Sequence, residues 1–250
     1  MKLSIITVVW NAVSTIEQTI CSVLEQRCRA DVEYLIIDGG STDGTLEVID
    51  RYRDRLARVV SEPDDGLYDA MNKGIRLATG DVIGIINADD YYLPGAFQTV
   101  EDALAGRALD RVIFWGDVQY EKLGRVKGFR PRQRRIGAFA PHPSMFCPKA
   151  VYERIGVYDT KLKLLADYDF MYRAVNYYRL QIVYCPVLIA FFREGGLADS
   201  NIRHCLLDEL TVKLRYGQHR WWAVLLYRLK LLKNYFRIRR SEPERSKQKG

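Results

Sequence analysis

Asn87-Ala88-Asp89-Asp90 places two adjacent carboxylates directly after the apolar run Val82-Ile83-Gly84-Ile85-Ile86. That run is short enough for a buried strand. Like charges side by side repel unless a cation neutralises them. A hard divalent ion with oxygen ligands, Mg²⁺ or Mn²⁺, would do so, and such ions usually also hold substrate phosphates. The competing reading is an acidic turn ahead of the next helix, whose first turn Pro94 would suit.

Other polar groups stand at equivalent places. Leu3 to Val9 reads as a strand and is followed by Trp10-Asn11. Tyr34 to Ile37 is followed by Asp38-Gly39-Gly40-Ser41-Thr42-Asp43-Gly44, and Arg58-Val59-Val60 by Glu62-Pro63-Asp64-Asp65-Gly66. Helical patterns separate these strands. Ser14 and Glu17 have the spacing of a capping box, ahead of Ile16, Ile20, Val23 and Leu24 on one face. Further helices are expected from about Thr42–Thr45, over Leu67–Ala78, and from Pro94 to about Leu104, before a strand at Arg111–Trp115. Repeated β-α-β units imply an α/β fold, a mostly parallel sheet with helices on both faces. Such sheets bind ligands beyond the carboxyl ends of their strands, where these acidic groups collect.

The chain has 250 residues and a formal net charge of +7. The charge is uneven. Lys213 to Gly250 holds 12 Lys and Arg against 2 Asp and Glu, and the residues before it hold 26 against 29. An acidic body with a basic tail points to an anionic surface as partner for the tail alone. The five cysteines are scattered without a C-x-x-C pair, which argues against zinc and disulfide frameworks. The N-terminus lacks a small-residue cleavage site and does not read as a signal peptide.

Residues 121–137 interrupt the alternation with Arg125, Lys127, Arg130, Arg132, Arg134 and Arg135 among glycines and a proline. A solvated basic loop and an anion-binding flap are the two readings. Mixed strands and short helices are expected from Ala138 to Asn201, helices over Ile202–Tyr216 and Trp221–Arg239, and a disordered end from Ser241. This divides the chain into residues 1–120, 121–205 and 206–250.

Ser4 to Asn11, Ile37 to Thr45, Asp65 to Gly74 and Asn87 to Asp90, in this order and spacing, closely resemble the family 2 glycosyltransferases. The resemblance runs from residue 3 to about residue 200. It implies a GT-A fold whose first half binds a nucleotide sugar and whose second half binds the acceptor. It also implies a divalent metal and inversion at the anomeric carbon. On this resemblance Asp38 accepts from the N3–H of uracil or thymine, the alternative being a carboxylate that starts a turn before a helix. Val8 and Trp10 line the base pocket, the alternative being plain core residues. Asp65 contacts the nucleoside or caps the helix at Leu67. Asn87 stands where the family's D-x-D motif has its first Asp, so Asp89 faces the ribose or metal and Asp90 the metal. Leu165-Ala166-Asp167-Tyr168-Asp169-Phe170 resembles the family's Glu-Asp block, with Asp167 at the position of the general base. The alternative for Asp167 and Asp169 is a pair of helix-start acids. His142, between two prolines, either touches the acceptor or satisfies a loop.

The expected partners are a nucleotide-sugar donor, a UDP-sugar by the base contact, and a lipid-linked or saccharide acceptor of surface polysaccharide synthesis. Trp221, Leu225, Leu229, Leu232 and Phe236 share one helical face, with Lys230, Lys233, Asn234 and Arg237 on another. Such a helix suits an anionic membrane interface, which places the chain in the cytoplasm against the inner face of the membrane. Packing on the body or forming a homodimer is the alternative. A sugar-1-phosphate nucleotidyltransferase would need a Gly-rich, basic loop after the first strand, and Trp10-Asn11-Ala12-Val13 is not one. A nucleic-acid binder leaves the carboxylates unexplained, because they repel phosphates.

Overall fold

The computed structural model describes residues 1–128, 142–195 and 201–235. Its strands are β1 (Lys2–Val9), β2 (Asp31–Asp38), β3 (Arg58–Ser61), β4 (Val82–Asn87), β5 (Tyr91–Tyr92), β6 (Val112–Tyr120), β7 (Gly124–Val126), β8 (Met145–Pro148) and β9 (Gln181–Phe192). Its α-helices are α1 (Ile16–Leu24), α2 (Thr45–Asp50), α3 (Leu67–Leu77), α4 (Ala96–Leu104), α5 (Lys149–Ile155), α6 (Ala166–Tyr172), α7 (Ile202–Arg215) and α8 (Arg220–Lys233).

The strands form one sheet in the order β3-β2-β1-β4-β8-β6-β9-β5, with β7 paired to β6. The first four are mutually parallel. β8 runs antiparallel to both β4 and β6, and β6 and β9 are parallel. The sheet thus passes from the parallel first half into a mixed second half without a break.

Both faces of the first half are covered, which is why β1 and β4 are mostly apolar and buried along nearly their whole length. Alternation sends Ile6, Val8, Ile83 and Ile85 into one core. Leu3, Ile5, Val9, Val82 and Ile86 enter the other. Helix α3 lies close on the first face. A Cβ at Gly74 would stand 2.5 Å from Ile6 Cγ2, so only glycine admits this approach. Phe146 of β8 meets Tyr92, Phe97 and Phe114 at ring distances of 5.5–6.0 Å, closing the junction between halves.

Some local expectations are corrected. The Ser14–Glu17 box does not form: α1 begins at Ile16 after Thr15, and no side chain caps it. Glu17 instead accepts from Tyr52 Oη at 2.9 Å, a tertiary contact with more to offer than a local cap. Helix α4 starts at Ala96 rather than at Pro94, because Gly95 turns with φ +79° just before it. The readings of Arg130, Arg132, Arg134 and Arg135 as a flap and of the segment from Ser241 as disordered lie outside the described residues. None of the five cysteines, all among the described residues, forms a disulfide.

Candidate active site

The register of the parallel strands aligns their carboxyl ends. Val9 stands beside Asp38, Val8 beside Asn87, and Asp38 beside Ser61. The loops that leave these strands then tie to one another. Asn11, with φ +47°, accepts from the Thr42 amide at 2.9 Å through Oδ1, and its own amide donates to Ser41 Oγ at 2.8 Å. The acidic rim expected from the sequence is a single continuous edge.

Asp38 occupies that edge but faces inward. It is fully buried. Ser61 Oγ donates to it at 2.6 Å, Ser41 Oγ at 2.5 Å, and the Gly40 and Ser41 amides at 3.1 Å. These donors occupy both carboxylate oxygens in shaping the turn, which is the geometry of the alternative reading, a carboxylate that starts a turn. Val8 likewise sends its side chain into the core, and its carbonyl accepts from the Ala88 amide at 3.2 Å. Trp10, by contrast, is exposed at the end of β1.

Asp64 lies where a side chain at residue 39 would be. Its Oδ2 is 2.5 Å from the point a Gly39 Cβ would occupy, so the glycine makes room for that carboxylate. Lys73 holds the loop from below, with Nζ donating to the Pro63 carbonyl at 3.0 Å and pairing with Glu62 at 3.1 Å. Asp65 is exposed and does not cap α3, whose N-cap is Gly66 at φ +108°. The Asp65 carbonyl accepts from Lys163 Nζ at 3.0 Å, reaching the second half of the chain.

The Asn87 block divides into two kinds of carboxylate. Asp89 is half-buried and open to the rim. Asp90 is buried, and its Oδ1 accepts from the Arg193 amide at 2.9 Å, so it joins β4 to the end of β9. Burial, and then the neighbouring Asp89 charge, pushes the Asp90 carboxyl well above the usual range. Asp90 Oδ2 and Asn87 Oδ1 are buried oxygens with no hydrogen-bond partner among the described residues. Two unmatched oxygens beside an open carboxylate are a donor set that suits a hard divalent cation. Among the described residues no group of three or more His, Cys, Asp or Glu side chains could hold a metal by itself. A cation here would therefore draw its remaining ligands from substrate phosphates and water, as Mg²⁺ commonly does.

The second half brings Asp167 to the same place. It lies in the first turn of α6. Its Oδ1 accepts from Tyr68 Oη at 2.8 Å and from the Tyr168 amide at 2.8 Å. Burial, with Asp167 alongside, pushes the Tyr68 phenol well above the ordinary tyrosine range, so it stays a donor. His142 Nδ1 is 3.9 Å from Asp167 Oδ2. Burial holds the His142 imidazole below the usual histidine range, against the opposing pull of Asp167 and then Asp89. A buried imidazole thus feels the carboxylates of both halves. The nearby Asp169 is a structural acid, buried and paired with Arg173 at 2.8 Å.

Tyr68, Asp64 and Arg193 were not singled out from the sequence. Tyr68 had one signal, a phenol in the first turn of a helix that points inward. Arg193 had none, because its bond to Asp90 spans 103 positions.

Residues 4–158, more than half of the chain, match the profile of glycosyl transferase family 2. A PGL/p-HBAD biosynthesis glycosyltransferase of Mycobacterium bovis is 29% identical over 228 residues, covering 86% of each chain. An uncharacterized glycosyltransferase of Mycobacterium tuberculosis is 33% identical over 177 residues, 68% of each. Among solved structures, Staphylococcus aureus TarS 1–349 in complex with UDP superposes with a TM-score of 0.69 at 16% identity, covering 94% of this chain and 72% of that one. The mannosyltransferase PcManGT of Pyrobaculum calidifontis, in complex with GDP-Man and Mn²⁺, gives 0.63 at 17% identity, with coverage of 94% and 75%. The sheet that carries Asp38 and the Asn87 block to one edge is that of the GT-A fold, and the chain belongs to glycosyl transferase family 2.

Proposed function

We propose that this glycosyltransferase moves a sugar from a UDP-sugar to an acceptor hydroxyl with inversion, and that Asp167 is its general base. The observation that carries this reading is the hydrogen bond from Tyr68 Oη to Asp167 Oδ1 at 2.8 Å. It fastens the base candidate of the second half to the helix that follows the acidic loop of the first.

Asp167 accepts the proton of the acceptor hydroxyl as that oxygen attacks the anomeric carbon. The bond from the anomeric carbon to the diphosphate oxygen breaks as the new glycosidic bond forms. A single displacement inverts the centre and needs no enzyme nucleophile, unlike a retaining glycosidase. Tyr68, donating to Asp167 Oδ1, directs the second oxygen toward the acceptor side. A divalent ion held by Asp89, with Asp90 and Asn87 beside it, would offset charge on the leaving diphosphate.

On the donor side, Trp10 stacks on the base and Asp64 reads it. Asp64 takes the contact first expected of Asp38, whose oxygens are already engaged. A carboxylate accepts from the N3–H of uracil and repels the bare N3 of cytosine. UDP is the nucleotide in the TarS complex. The acceptor is lipid-linked or saccharide, in surface polysaccharide synthesis on the cytoplasmic side. A nucleotide-sugar panel read by thermal shift, with Mn²⁺ and with EDTA, tests the donor. Stabilisation by a UDP-sugar that EDTA removes supports it. No stabilisation by any UDP- or dTDP-sugar refutes it.

A further inference from the structure

The C-terminal helices leave an apolar stripe uncovered. Helices α7 and α8 form a hairpin through Gly217, which has φ +78°. The inner face of α8 is Ala223, Tyr227 and Lys230, which meet Leu206, Glu209 and Leu210 of α7. Ala223 is buried. Glu209 Oε1 accepts from Lys230 Nζ at 2.6 Å and also from the buried Lys213. Lys230 therefore lies between the helices and not on an open basic face, which corrects the helical-wheel grouping.

The other side of α8 is open. Trp221 is 79% exposed, Leu225 46%, Leu229 53% and Leu232 74%. Their spacing of four, four and three sets them on one face. Exposed Arg228 and Lys233 lie along that stripe. Contiguous apolar surface of this kind marks an interaction site. At 14 residues α8 is about 21 Å long, short of the roughly 30 Å hydrocarbon core. Among the described residues no helix is long and apolar enough to cross a membrane.

We infer that the α7–α8 hairpin is a docking surface for an anionic lipid bilayer, with α8 lying in the interface plane. Charge selects this occupant. From Lys213 onward the chain carries 12 basic residues against 2 acidic. Lys213, Arg215 and Lys230 are paired with acidic groups of the body, and the others remain in excess. An anionic surface attracts that excess. A second copy of the same face would bring like charge against like charge in a two-fold pairing.

The surface is also fixed relative to the active site. Arg215, at the end of α7, pairs with Asp159 at 2.9 Å and with Asp169 at 3.3 Å. Tyr216 stacks on Tyr172 at 6.0 Å and 28°. Asp169 and Tyr172 belong to α6, the helix that carries Asp167. A bilayer bound by α8 is thus held at a set distance from Asp167. This consequence, delivery of a membrane-borne acceptor hydroxyl, rests on the transferase reading; the docking does not.

The test is co-sedimentation of the full chain with vesicles of phosphatidylcholine alone or with 30% phosphatidylglycerol. The wild type should pellet with the anionic vesicles at least tenfold better than with neutral ones. Arg228→Ala and Lys233→Ala should each weaken binding by roughly fivefold, from about 1 kcal/mol per basic residue. Leu225→Glu with Leu232→Glu should remove binding at any salt. Both positions are exposed, so the melting temperature should not move. Failure of the wild type to pellet overturns the inference whatever the variants do. Equal pelleting of the double variant overturns it too. A dimer in light scattering that the double variant dissolves, without vesicle binding, assigns the stripe to a second copy and also overturns it. Loss of nucleotide-sugar binding with vesicle binding intact would count against the transferase reading alone.

Discussion

Asn72 and Tyr158 hold each other by two hydrogen bonds across 86 positions of sequence. Asn72 Nδ2 donates to the Tyr158 carbonyl at 2.9 Å, and the Tyr158 amide donates to Asn72 Oδ1 at 3.0 Å. Both groups are buried. One helical turn earlier on α3, Tyr68 donates to Asp167 and packs its ring 5.6 Å from that of Tyr158. Helix α3 belongs to the nucleotide half by its strand contacts, yet it carries the fastenings of the acceptor half. The distance between the strand-end rim and Asp167 is therefore set by side chains of one helix.

Replacing Asn72 by Ala should cost about 2–4 kcal/mol, because it leaves a buried donor and a buried acceptor of Tyr158 unmatched. Equilibrium denaturant unfolding measures this. A change below about 0.5 kcal/mol would mean that the pair is not a fastening.

Glu33 should give the protein an acid-sensitive limb. Burial pushes its carboxyl up, but bonds from Ser4, Thr79 and Lys2 outweigh it and hold the group at about 2. Its folded value is depressed below the unfolded one of about 4.3. The stabilisation is therefore complete above pH about 5 and is lost as pH falls toward 2. Glu33→Gln should flatten the pH dependence of unfolding in that window and leave it unchanged above pH 6. Unfolding midpoints at several pH values decide it; parallel curves for the two proteins would contradict the assignment.

Asp38 and Asp64 should separate by readout. Asp38→Ala strands two serine hydroxyls and two amides at the rim, so it should lower the melting temperature together with donor affinity. Asp64→Asn should leave the melting temperature within a degree or two and reduce the preference for UDP over CDP by tenfold or more. Calorimetric titration with the two nucleotides in Mn²⁺ distinguishes them. An unaltered preference in Asp64→Asn would return the base contact to another residue.

What the sequence showed and what it hid follow from the range of the contacts. The rim was legible because each of its loops follows its own strand, and strand patterns are local. The inward turn of Asp38 was not, since one of its main donors, Ser61, comes from the neighbouring strand. The pattern of α8 revealed an apolar face correctly, but the fate of Lys230 depended on Glu209 of another helix. Asp89 and Asp90 are adjacent in sequence, and only the Arg193 amide, from the far end of β9, sets them apart as open and buried. The family motif could name Asp167; the phenol that orients it lies 99 residues away.

On the proposed mechanism Asp167 is the base of a site whose donor half is complete without it. Asp167→Asn preserves size and removes basicity. Its transfer rate from the UDP-sugar identified by the panel, measured in Mn²⁺ beside its donor dissociation constant, tests this most directly. The rate should fall by roughly 10²–10⁴-fold, the usual share of a general base, with donor affinity within a few-fold of wild type. A variant that keeps more than about a tenth of the wild-type rate would contradict it.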